Sequence, residues 1–131
     1  MVTPRKNNQS SSASLIQAFR YAAQGIASAS KGRNFRIELG FFVAAIILGL
    51  VCGISAVEWC VVLLFSALVL ASETLNTALE DLVDLVSPEF SQLAGSVKDC
   101  AAGMVLIFAL ASFVVGVIIF LPKLLSMVGL G

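Results

Sequence analysis

The sequence predicts an all-α integral membrane protein, with an N-terminal amphipathic surface helix followed by three transmembrane helices. Three observations lead there. Of 131 residues, 59% are hydrophobic and 12% charged, half the charge of soluble domains, which is roughly 25%; the mean hydropathy is +1.00. So small a chain with so little polar surface cannot stay dissolved as a globule. The apolar residues also gather into three runs, each close to the length of about 20 residues that crosses a bilayer. No stretch shows the two-residue alternation of a strand. One domain fits this length, whereas a large soluble catalytic domain does not.

Residues 1–13 (MVTPRKNNQSSSA) are polar and aperiodic and read as a disordered cytoplasmic tail. A single membrane domain then covers 14–124. Leu15, Ile16, Phe19, Ala22, Ala23 and Ile26 recur at helical spacing, with Arg20 and Gln24 off that face. The spacing predicts a surface helix over about 14–27, laid in the membrane interface; Ser14 and Gln17 have the spacing of a capping box at its start. A polar, basic connection from Ser28 to Arg36 follows. The first span is expected over about 37–57, where residues 39–57 carry no charge, and its Gly49 and Gly53 form a GxxxG pair that permits close helix contact. Glu58 and Trp59 are expected in a short outer turn, with the Trp as an interfacial anchor. The second span is expected over about 59–85 and is broken at Pro88. The third, over about 97–121, is expected to end outside at Pro122 and Lys123. Cys52, Cys60 and Cys100 are odd in number and lack metal-site spacing, so they read as small apolar packers.

The net charge of zero hides an asymmetry: Arg5, Lys6, Arg20, Lys31, Arg33 and Arg36 all precede the first acid, Glu38. Cations clustered beside a first span place the N-terminus in the cytoplasm and make this a multi-pass protein of the cell (cytoplasmic) membrane. They also attract anionic headgroups. Six cations mixed with Ser and Ala beside a span suit lipid rather than nucleic acid, and no nucleic-acid partner is expected.

The chain has no histidine, so acid–base or metal chemistry must rest on carboxylates, amides, hydroxyls or lysine. The second span supplies a concentration of these. At about 100° per residue, Glu73, Asn76, Thr77, Glu80 and Asp84 share one stripe, with Asp81 on its shoulder. The stripe runs about 16 Å along the axis at 1.5 Å per residue, from the inner leaflet towards the cytoplasm. An acid at the centre of a membrane helix costs about 3 kcal/mol on insertion scales, and such residues face a bundle interior, a cavity or a substrate path. A polar seam between helices is the structural alternative. Lys98-Asp99 opens the third span at the same depth; the lysine suits a phosphate, and Asp99 suits either a site or a helix N-terminus. A deep carboxylate, an amide, an edge carboxylate and a lysine could together bind a metal–phosphate group and deprotonate an alcohol arriving from the lipid phase. The sequence holds neither GxxxxGK[ST] nor GxGxxG, which excludes P-loop and protein-kinase scaffolds.

The run Glu73-Thr-Leu-Asn76-Thr-Ala-Leu-Glu80-Asp81-Leu-Val-Asp84, followed by Lys98-Asp99-Cys-Ala-Ala-Gly103, resembles the signature of the prokaryotic diacylglycerol kinase family. The likeness covers roughly residues 15–124. Val-Glu58-Trp59 and the Ile-Phe-Leu-Pro-Lys123 ending look closer to the family's Gram-positive branch, which includes undecaprenol kinases. What the resemblance implies is a homotrimer with active sites shared between protomers at the cytoplasmic interface. It implies Glu73 as the general base for the lipid hydroxyl and Glu80 as a carboxylate ligand of the Mg²⁺ carried by ATP. Asn76 and Asp84 match positions that organise the site; Lys98 and Asp99 match nucleotide-contacting positions, and Glu89 falls where the loop approaches the nucleotide. The family carries a second metal-ligating Glu just before Arg-Asn in the basic connection. Here that stretch reads Lys31-Gly32-Arg33-Asn34, and the next acid, Glu38, could compensate only if the connection is arranged differently.

The function expected is ATP-dependent phosphorylation of a membrane lipid alcohol, undecaprenol to undecaprenyl phosphate ahead of diacylglycerol to phosphatidic acid. Phosphoryl transfer asks little covalent chemistry of the protein, so catalysis would be positioning and electrostatic stabilisation. Two readings compete. One is a small oligomeric transporter using Glu73 as a proton or cation site; the other is a non-enzymatic relative that keeps the fold without the missing metal ligand.

Overall fold

Four helices make up the structure, in the order α1 (Ser11–Ala29), α2 (Arg33–Cys52), α3 (Ala56–Val86) and α4 (Gln92–Met127). It is a computed structural model that describes residues 11–89 and 91–129, and there is no strand among the described residues. α2, α3 and α4 are each long and apolar enough to cross a membrane. At 1.5 Å per residue, the 20 residues of α2 match a hydrocarbon core of about 30 Å. The 31 and 36 residues of α3 and α4 exceed it, which lets their ends project. α3 and α4 share the most extensive contact, α2 packs on both, and α1 rests against α3.

Helix boundaries depart from the sequence expectations where a cap decides them. α1 already runs at Ser11, inside the expected tail 1–13, whose residues 1–10 lie outside the described residues. Ser14 therefore stands within the helix and cannot open it with Gln17; the Gln17 side chain instead donates to the Tyr21 hydroxyl one turn on, at 2.9 Å. The apolar face of α1 is uncovered by the rest of the chain, with Leu15, Ile16, Phe19 and Ile26 all more than half exposed.

α2 spans 33–52 rather than 37–57. It opens at Gly32, whose extended backbone supplies no side-chain cap, and it ends at Gly53, whose φ of +60° is the left-handed conformation that glycine adopts without strain. The Gly53 and Ile54 N–H groups both return to the Gly49 carbonyl. Gly53 is thus a helix stop and not half of a GxxxG contact. Gly49 does serve close approach, because a Cβ there would lie 2.6 Å from the Trp59 ring.

Glu58 and Trp59 belong to the first turn of α3 rather than to a connecting turn. Ser55 caps the helix: its hydroxyl accepts from the Glu58 N–H, and its own N–H donates to Glu58 Oε2 at 2.6 Å, a reciprocal capping box. Trp59 is half-buried and packs over Gly49. Nearby, Ile54, Val62, Ile119 and Phe120 form the buried cluster, against which Leu48, Cys52 and Trp59 pack. All three cysteines are free.

α4 begins at Gln92, capped by Ser91, and passes through Pro122 to Met127, so Pro122 does not end it as expected. A proline removes one helical N–H donor, a loss that membrane helices tolerate. The next residue, Lys123, reaches Glu58 Oε2 at 3.3 Å and ties the far end of α4 to the start of α3. Replacing Gly49 with Ala should therefore lower stability by about 1–3 kcal/mol through overpacking against Trp59. Gly40→Ala, with open space at its Cβ position, should not. Thermal unfolding in detergent checks the pair.

Candidate active site

The polar stripe of α3 is laid down by helical periodicity, and the fold grades its exposure. Glu73 and Asn76 are buried, at 5% and 4% exposure; Thr77 and Glu80 are half-buried, and Asp81 and Asp84 are exposed. One helix face thus leads from the bundle interior to its open end. The hydroxyls along this stretch are satisfied locally: Ser72 donates to the Val69 carbonyl, Thr74 to Leu70 and Thr77 to Glu73. These bonds leave the carboxylates and the amide as the groups free for chemistry.

Asn76 Nδ2 donates to Glu80 Oε1 at 3.0 Å. Asn76 Oδ1 is buried and, among the described residues, unpartnered. Glu73 lies within electrostatic reach of Glu80 on one side and of Glu38 on the other. The described residues contain two ion pairs, Lys98–Asp84 and Lys123–Glu58, and neither involves Glu38, Glu73 or Glu80. Among the described residues no cation therefore pairs with the centre of the stripe, and no three metal-ligating side chains gather closely enough there to hold a metal ion by themselves.

Further along, Lys98 of α4 meets Asp84 of α3, Nζ to Oδ1, at 2.5 Å. These two residues and Glu89 share the lining of a small open cavity of about 210 Å³ that also includes Ser87, Ser91 and Gly95. The Ser87 hydroxyl donates to the Glu89 carbonyl at 3.3 Å and shapes the connection. Asp99 is exposed and does not line this cavity. The structure therefore gathers Glu73, Asn76 and Glu80 into one group and Asp84, Glu89 and Lys98 into a second, one helical turn further on.

Glu38, which the sequence offers only as a conditional substitute for the family's missing carboxylate, lies close to Glu73. Gly32 caps α2, while Glu38 lies on the helix itself. Its electrostatic neighbour is Glu73, not Glu80. The available signal was its spacing: Glu38 is the only acid before Glu58 and stands at the edge of a 19-residue apolar run.

The Lys98–Asp84 pair is too exposed, at 36% and 67% of the two side chains, to contribute much to folding. Lys98→Ala should change stability by less than about 1 kcal/mol. Chemical denaturation in detergent checks this, and a larger loss would make the pair a structural strut.

A model of the prokaryotic diacylglycerol kinase family matches residues 20–120 of this chain. A diacylglycerol kinase of Synechocystis sp. is 43% identical over 125 residues, covering 94% of this chain and 71% of that protein. An undecaprenol kinase of Bacillus subtilis is 38% identical over 110 residues, covering 83% of this chain and 89% of the relative. A diacylglycerol kinase of Sinorhizobium sp. is 33% identical over 108 residues, or 81% of this chain and 79% of the other. The region matched by the family model takes in the whole polar stripe, the Lys98–Asp99 pair, α2, α3 and α4 as far as residue 120. The chain belongs to the prokaryotic diacylglycerol kinase family and is a membrane lipid kinase.

Proposed function

We propose that this kinase transfers the γ-phosphate of ATP to the hydroxyl of undecaprenol, at the cytoplasmic face of the cell membrane. The observation that carries the reading is the graded stripe of α3: a buried carboxylate, Glu73, shares its face with the Asn76–Glu80 pair and lies about three turns from Asp84, which lines the cavity with Glu89 and Lys98. A lipid alcohol reaches Glu73 from the apolar side, whereas a nucleotide reaches the cavity from the open end.

Glu73 accepts the proton of the lipid hydroxyl as general base. The hydroxyl oxygen then bonds to the γ-phosphorus while the bond to the β,γ-bridging oxygen breaks, giving the phosphorylated lipid and ADP. Glu80 would hold the Mg²⁺ of the nucleotide. Its carboxylate and the unpartnered Asn76 Oδ1 are hard oxygen donors, and Mg²⁺ is commonly bound by one or two carboxylates together with substrate phosphates. When bound, the ion supplies neutralisation of the phosphate charge. Asn76 Nδ2 fixes the Glu80 carboxylate, and Lys98, oriented by Asp84, offers its ammonium to the phosphates. Asp99 and Glu89 complete the nucleotide side. Self-association as a homotrimer covers the apolar faces that one chain leaves open.

Diacylglycerol is the second reading, favoured by the similarity to the Synechocystis and Sinorhizobium diacylglycerol kinases. Undecaprenol is favoured by the similarity to the Bacillus subtilis undecaprenol kinase and by the residues around Glu58 and Lys123. Transfer of labelled γ-phosphate to each lipid in mixed micelles separates them. Glu73→Gln should lower turnover by about 10²–10⁴-fold, the usual contribution of a general base. Glu80→Ala should raise the Mg²⁺ concentration needed for half-maximal activity and lower turnover with it. Unchanged kinetics in both variants would remove the stripe from catalysis.

A further inference from the structure

The face of α2 turned away from the bundle has a charge pattern of its own. At about 100° per residue, Arg33, Arg36, Gly40, Val43 and Ile47 fall within an arc of about 80°. That arc is centred opposite Glu38, which lines a slot together with Ser66 of α3 and Ser112 of α4. All five residues are exposed, Val43 and Ile47 to 50% and 55%. Nothing stands within 4 Å of a Cβ built at Gly40, so the face is open just past the arginines. The two ion pairs among the described residues lie elsewhere, and neither arginine takes part in them. No acid precedes Glu38 in the sequence, and the exposed Lys31 adds a third cation before the helix begins.

These residues describe a ligand with an anionic head and an apolar tail. From Arg36 to Ile47 the rise is about 17 Å at 1.5 Å per residue, close to one leaflet of a hydrocarbon core about 30 Å thick. We infer that this face binds an anionic phospholipid of the leaflet at the start of α2, with its phosphate on Arg33 and Arg36 and an acyl chain along Val43 and Ile47. Two guanidinium forks one turn apart match phosphate oxygens, which they can meet bidentately. A zwitterionic phospholipid would bring its own ammonium among three cations and gain less. A nucleotide has no chain for the ridge, and a neutral lipid alcohol has no charge for the arginines. The site lies on the opposite side of α2 from Glu38 and does not depend on which alcohol the kinase phosphorylates.

Native mass spectrometry of the full chain, in micelles doped with phosphatidylglycerol or with phosphatidylcholine of the same chains, tests the assignment. Phosphatidylglycerol should bind about tenfold more tightly, in keeping with two surface cations acting on an anionic lipid. The double variant Arg33→Gln/Arg36→Gln should bring the two lipids to within about twofold of each other. Arg33→Lys/Arg36→Lys, which keeps the charge and loses the fork, should retain a preference of about threefold. Arg20→Gln, on α1, should leave the preference unchanged, and excess glycerol phosphate, which has no chain, should not displace the lipid. Phosphatidylglycerol carrying a diazirine in its acyl chain should label the peptide that contains Val43 and Ile47. Equal binding of the two lipids by the wild type, a full preference in the double glutamine variant, displacement by glycerol phosphate, or labelling confined to other helices would each overturn the inference. So would disulfide-linked dimers of Val43→Cys in excess of those of the wild type, which would give this face to a second copy of the chain.

Discussion

Carboxylates held inside a bundle of apolar helices, paired with no cation among the described residues, are the constraint on which the rest of the structure turns. Glu73 is buried on α3, Glu38 on α2 lies within its electrostatic reach, and Glu80 follows it towards the open end. In a hydrocarbon setting such groups are expensive unless they meet a ligand, a cation or water. The chain meets the requirement by grading its polarity. Glu73 is buried among the helices, an apolar slot lined by Ser66 and Val69 opens along α3, and a polar cavity at Asp84, Glu89 and Lys98 opens at its end. A lipid kinase needs just this juxtaposition, because its two substrates come from different phases.

The far end of the bundle is built differently. There the capping box at Ser55, the Gly49 seat for Trp59, the left-handed stop at Gly53 and the Lys123–Glu58 pair converge around the Ile54–Phe120 cluster. Each is a modest interaction, but together they tie the start of α3 to the end of α4 and fix the register of those two helices. That register sets Lys98 opposite Asp84 at the other end. Rigidity at one end thereby supports geometry at the other, where exposed polar groups contribute little to folding and are left to contact substrate.

Much of this was legible in the residues. Three apolar runs and one amphipathic segment correspond to the four helices in order, and a 3.6-residue period put Glu73, Asn76, Glu80 and Asp84 on one face. Helix ends were less legible. The apolar run from Leu39 to Val57 conceals a stop, because Gly53 ends α2 through its backbone conformation and leaves hydropathy unchanged. Pro122 looked terminal, yet the loss of one N–H is outweighed by the apolar residues that follow and by the Lys123 pair. Ser14 and Gln17 carried capping-box spacing while the helix had already begun. Glu38 was hardest to place, since its partner lies on another helix and no local pattern connects position 38 to position 73. The asymmetry of charge, by contrast, was visible at once from the six cations that precede Glu38.

The central claim is that Glu73 acts as a base in a direct, in-line transfer between two substrates that the fold brings together from opposite phases. The stereochemical course at phosphorus tests it most directly. With ATP made chiral at the γ-phosphorus and a lipid alcohol as acceptor, a single in-line displacement predicts inversion of configuration in the lipid phosphate. Retention would mean two successive displacements through a phosphorylated side chain, and would contradict the assignment of Glu73 as a base.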